Sequence, residues 1–151
     1  MKKFKISDDI LDFAIENEVK AYKFYTGLAA KMDNRTMKQV FGDFAAEEKG
    51  HKKQLENIKK SKTFHVSNKQ VADLKIADYT VAVEPTGDMD YQAALVLAMK
   101  EEKKAFQLYT TLADLVEDAT AKQLFTSLAQ QEARHKLRFE LEYDDMVLKN
   151  N

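Results

Sequence analysis

Residues 44–51 read FAAEEKGH, and the fold turns on them. The stretch has the character of mid-helix, yet Glu48 and His51 fall three apart on the line where Phe44 and Leu55 mark a buried face. Positions three apart on a helix project from one side, so both ionisable groups point into whatever that face packs against. Residues 127–135, SLAQQEARH, present the same anomaly with Glu132 and His135.

The recurrence is part of a longer one. Offset by 84 residues, segment 11–56 aligns with 95–140 without a gap, and 18 of 46 positions are identical. Matches include Glu18/Glu102, Ala21/Ala105, Tyr25/Tyr109, Glu48/Glu132 and His51/His135. One large unit used twice is a duplication and not a solenoid of many short repeats.

Each unit reads as two long helices. The spacing predicts helices over about 8–31, 35–60, 91–116 and 119–148. Ser7, then Asp33 or Asn34, then Asp88 or Asp90 are the candidate caps of the first three. The inner stripes advance by threes and fours: Leu11, Ala14, Glu18, Ala21, Tyr25, Leu28 and Met32 in the first helix, and Leu95, Ala98, Glu102, Ala105, Tyr109, Leu112 and Val116 in the third. The second and fourth carry the Glu-x-x-His pairs among Phe41, Phe44, Leu55 and Ile58, and among Phe125, Leu128 and Phe139. Short loops make each pair an antiparallel hairpin. Residues 61–90, holding the only proline, Pro85, connect the two hairpins. A 26-residue helix is roughly 39 Å long, so this connection is expected to run back along the bundle and to start the third helix at the same end as the first. The expected fold is all-α, a four-helix bundle of two duplicated hairpins with one long crossover, forming a single domain over 1–151.

Composition narrows the chemistry. Charged residues are 32 % of the chain but nearly cancel, to a net charge of -1, which leaves no footprint for nucleic acid and no basic membrane patch. With no cysteine, disulfides, thiolate catalysis and thiolate-held metals are excluded. No run reaches the 18 or so apolar residues of a membrane span, and a cytoplasmic location is expected. Any metal must be held by carboxylate and imidazole.

The misfits on the four stripes are Glu18, Glu48, His51, Glu102, Glu132 and His135. Four uncompensated carboxylates in a core would each cost several kcal/mol. Two divalent cations match their charge, and oxygen with imidazole suits iron or manganese. Tyr25 and Tyr109, two turns beyond Glu18 and Glu102, are placed to bond a ligating carboxylate and orient it. His65, a lone histidine in the connection, is assigned no role, and Glu47, Glu101 and Gln131 are read as solvated neighbours.

One Glu from each of two helices and Glu-x-x-His from each of the others is similar to the ligand pattern of ferritin-like di-iron carboxylate proteins. More closely, AIENEVKAYKFYTGLA with FAAEEKGH, repeated as AMKEEKKAFQLYTTLA with LAQQEARH, resembles the rubrerythrin-like branch of that superfamily over about residues 8–148. The resemblance implies a non-haem di-iron centre, with Glu18 and Glu102 as terminal ligands, Glu48 and Glu132 bridging, and His51 and His135 each on one iron. Manganese, or an iron–manganese pair, is the alternative occupant. It implies reduction of H2O2 or O2 with electrons from a separate rubredoxin-type or flavoprotein donor, and a homodimer. Ferroxidase or iron-storage work is the neighbouring alternative, and an interaction module with incidental metals is a third reading.

Two departures stand out. Rubrerythrins proper carry a four-cysteine rubredoxin-like domain, for which this chain has no cysteines. They also carry an additional glutamate one turn beyond the third-helix ligand, where this chain has Ala105, matched by Ala21. The six-residue set is therefore symmetric, similar in that respect to bacterioferritin ferroxidase sites. Phe13, Phe24, Phe106 and Met99 are expected to pack on the flanks or at an interface, and Phe4, Phe64, Val81 and Val83 to contribute to a partner surface.

Overall fold

The computed structural model describes residues 6–62, 64–66 and 90–150. Four helices make up the described fold: α1 Ile6–Lys31, α2 Arg35–Ser61, α3 Tyr91–Leu115 and α4 Ala119–Asn150. The crossover with Pro85, and the residues Phe4, Val81 and Val83, lie outside the described residues.

Side-chain caps set several of these boundaries. Asn34 Oδ1 accepts from the Met37 backbone N–H at 3.1 Å and starts α2. Asp90 Oδ1 accepts from Ala93 N–H at 2.7 Å at the head of α3, and Asp118 Oδ2 from Ala121 N–H at 2.8 Å before α4. Each satisfies one of the amides that a helix start leaves without an internal partner. Ser7 is not a cap. It lies inside α1, and its hydroxyl accepts from the backbone N–H of Val66 at 3.1 Å, tying the segment after α2 to the start of α1.

Cross-helix contacts give the topology. Lys59 Nζ lies 2.6 Å from Asp12 Oδ1, while the Tyr25 and Phe44 rings are 6.0 Å apart, so α1 and α2 run antiparallel. Tyr91 bonds Glu142 at 3.1 Å and Tyr109 stacks on Phe125, so α3 and α4 do the same. Between hairpins, Phe41 stacks on Phe139 and His51 bonds Gln131, making α2 antiparallel to α4. Tyr25 bonds Glu102 and Tyr109 bonds Glu18, making α1 antiparallel to α3.

This corrects the expected start of α3. Tyr91 sits 6.2 Å, ring to ring, from Phe41 near the head of α2, at the opposite end from the start of α1. The foot of α2 lies beside the start of α1, and the head of α2, about 40 Å away along a 27-residue helix, lies beside the start of α3.

The core is built as two apolar plugs. One gathers Leu11, Leu55, Phe64, Leu112, Phe125 and Leu128. The other gathers Tyr25, Leu28, Met37, Phe41, Leu95 and Phe139. Phe64, expected on a partner surface, is 2 % exposed and packs edge-on against Phe125. Of the expected flanking residues, Phe13, Phe24 and Met99 pack against the plugs, whereas Phe106 is exposed. Between the plugs run six buried ionisable residues.

Phe125 is wholly buried and meets both Phe64 and Tyr109. Phe125→Ala is expected to lower unfolding free energy by about 3–5 kcal/mol, read from the denaturant midpoint at constant slope.

Candidate metal centre

Glu18 on α1, Glu48 and His51 on α2, Glu102 on α3, and Glu132 and His135 on α4 are each no more than 2 % exposed. They come together as two overlapping groups: Glu18, Glu48, His51 and Glu132, and Glu48, Glu102, Glu132 and His135. Within each group the potential ligand atoms lie within 4.8 Å of one another. A divalent ion about 2.1 Å from each oxygen holds opposite donors about 4.2 Å apart, so either group has room for one. Glu48 and Glu132 belong to both groups and lie between the two positions.

The hydrogen bonding of Glu18, Glu102, His51 and His135 is one-sided. Tyr109 donates to Oε1 of Glu18 and Tyr25 to Oε1 of Glu102, each hydroxyl reaching across to the other hairpin. Oε2 of Glu18 and of Glu102 has no hydrogen-bond partner. His51 Nε2 meets Gln131 Oε1 at 2.8 Å, and His135 Nε2 meets Glu47 Oε2 at 3.2 Å. The Nδ1 atoms of both rings face the cluster, 3.0 Å from Glu132 Oε1 for His51 and 3.3 Å from Glu48 Oε1 for His135, without hydrogen-bonding geometry. Both oxygens of Glu48 and Oε1 of Glu132 are likewise without partners. Buried polar atoms seldom go unpaired, and seven doing so around one point mark a place for a bound cation.

A family model for rubrerythrin matches residues 9–143. The chain belongs to the rubrerythrin family. Comparison with curated protein sequences finds no match. Among solved structures, this rubrerythrin-family chain is similar to KatB, a manganese catalase from Anabaena PCC7120, at 18 % identity and a TM-score of 0.67, covering 96 % of this chain and 75 % of that one. At that identity the likeness establishes the shared fold, a ferritin-like helical bundle.

Two participants were misread from sequence. Glu47 and Gln131, read as solvated, are the outer hydrogen-bond partners of His135 and His51. The signal was available in the repeat, since positions 47 and 131 match at the same offset of 84 and both carry a side-chain oxygen one residue before a cluster glutamate. Ala21 and Ala105 are partly buried and pack against the apolar plugs. His65 is exposed.

The electrostatics follow from burial. Burial, then the charges of Glu132, Glu18 and Glu102, push the Glu48 carboxyl well above its ordinary value. Glu102 and Glu132 are each raised to about 7, again chiefly by burial. Burial alone would lower the His51 imidazole, but the adjoining carboxylates of Glu132 and Glu18 outweigh it and carry it up to about 11. Burial and the facing carboxylates hold Tyr25 and Tyr109 well above 10, so both remain protonated donors.

Stability of chelator-treated protein is therefore pH-dependent. Between pH 4.5 and about 7 the unfolded chain ionises Glu102 and Glu132 while the folded chain resists, so folding stability falls as pH rises. His51, raised when folded, acts in the same direction at higher pH, up to about 11. Unfolding free energy of the stripped protein is expected to drop by on the order of a few kcal/mol from pH 5 to 7.5, and Glu132→Gln to flatten that slope in urea melts.

Proposed function

We propose that this chain is a dinuclear metal oxidoreductase, iron being the first candidate and manganese or a mixed pair the second. The observation that carries the reading is the set of seven partnerless buried ligand atoms converging from four helices. Membership of the rubrerythrin family supports it. The manganese catalase with the same fold is consistent with a redox-active pair of metals in such a bundle.

When bound, the metal pair supplies the electrons and Lewis acidity for reduction of H2O2 or O2, replenished by a separate donor. The chain's residues set the conditions for it. Tyr25 and Tyr109 each anchor one carboxylate oxygen and leave the other directed at the cluster, which fixes Glu102 and Glu18 before any ion arrives. The outward hydrogen bonds of the two histidines hold a proton on Nε2, so that a metal ion displacing any proton from Nδ1 would be met by that nitrogen's lone pair. Phe44 stacks on the His135 ring at 4.0 Å, and Phe139 packs against both Phe44 and Tyr25, which keeps water from that side. A cleft of about 260 Å³, lined by Asp43, Phe44, Glu47, Arg134 and Arg138, reaches His135 and is wide enough for a small oxidant.

Ferroxidation of incoming Fe(II) is the second reading, favoured by the symmetric ligand set and the alanines at 21 and 105. Stopped-flow absorbance after anaerobic Fe(II) loading separates the two. Oxidation is expected within seconds of mixing, faster with H2O2 if peroxide is the physiological oxidant and faster with O2 if the site is a ferroxidase. No oxidation by either contradicts a redox role.

A further inference from the structure

Within the two groups the duplication is faithful: glutamate matches glutamate, histidine matches histidine, and the two tyrosine bonds are reciprocal. One step further out it fails. His51 Nε2 is bonded to Oε1 of Gln131, a neutral amide whose Nε2 donates to Ser127 Oγ at 3.0 Å. His135 Nε2 is bonded to a carboxylate, Glu47. The difference extends along the same face, where Asp43 on α2 occupies the position matched by Ser127 on α4.

The consequence lies in the donor strength of Nδ1. A carboxylate accepting from one imidazole nitrogen draws that proton toward itself and makes the other nitrogen more basic and its ring better fixed. A neutral amide oxygen does this less, because hydrogen bonds to an ionised acceptor are roughly twice as strong. Arg134 and Arg138 line the cleft beside Glu47, but Nη2 of Arg138 is directed at Met37 Sδ, 3.7 Å away, and Glu47 pairs with His135. Because every cluster ligand is matched, the outer hydrogen-bond partner is the polar difference between the two positions, beside Phe44 on the His135 ring where the matched residue is Leu128.

We propose that Glu47 makes the His135 position the tighter of two unequal metal positions, filled first, and that Gln131 leaves the His51 position weaker and more exchangeable. The inference rests on the dinuclear reading above and assigns Glu47 and Gln131 as positioning residues that act through the histidines.

The test is anaerobic calorimetric titration of the full chain with Co(II) at constant pH. Two equal positions sharing Glu48 and Glu132 also fill stepwise, because the first cation repels the second, so the variants decide. Glu47→Gln keeps an acceptor but removes the charge, and is expected to weaken the first step by about 10-fold or more. Gln131→Glu is expected to tighten the second step by about 10-fold while leaving the first within about twofold, a gain that misfolding cannot produce. If Glu47→Gln changes the first step by less than about twofold, or if both variants shift the same step alike, the inequivalence is overturned while the metal reading stands. If the wild-type chain takes up no Co(II), the dinuclear reading falls and this inference with it.

Discussion

The desolvation of four carboxylates at one level of the bundle is the constraint from which the rest follows. Removed from water, each carboxylate raises the cost of ionising the next, and the two imidazoles cannot neutralise all four. The fold answers with geometry that makes sense for cations: every outer atom of the terminal glutamates and histidines is tied down by a hydrogen bond, and every inner one is left over. The two apolar plugs then serve as end walls that keep the polar level dry, with Phe125 and Leu128 on one side and Phe41 and Phe139 on the other.

Much of this was legible in the sequence because helices write their buried face in a fixed period. Glu48 and His51 were conspicuous for standing where Phe41 and Leu55 set the expectation of an apolar stripe, and the four-helix architecture followed from the duplication. What period and repeat do not encode is relative placement of the two hairpins. For that reason the sequence suggests the wrong end for the start of α3, which the Tyr91–Phe41 contact and the reciprocal tyrosine bonds correct. Ser7 was read as a cap because serine before an acidic turn usually is one; its role as an acceptor for Val66 is a tertiary fact. Phe64 suggests a partner surface because it is apolar and falls outside the helical stripes, yet the chain folds it back against Phe125. Glu47 and Gln131 were hidden differently: a charged or amide residue on a charge-rich helix reads as solvated unless its partner on another helix is known.

Family membership places the chain among rubrerythrins, while its own residues qualify what that implies. Ala105 stands where the resemblance calls for a further carboxylate, and no cysteine is present to hold a rubredoxin-type iron. The cluster is thus symmetric in its six ionisable residues and asymmetric in what bonds the two histidines from outside. The cleft that reaches His135 carries both carboxylates and arginines. Described helices are too polar to cross a membrane.

Six side chains that hold two ions through two shared glutamates would fix how many ions each chain retains. Counting Fe(II) retained per chain after anaerobic loading and desalting tests it most directly, comparing the wild-type chain with Glu18→Ala and Glu48→Ala. The account predicts two ions in the wild-type chain, one after loss of the terminal Glu18, and fewer than one after loss of the shared Glu48. Two ions retained by the Glu48→Ala chain, or none by the wild type, would contradict it.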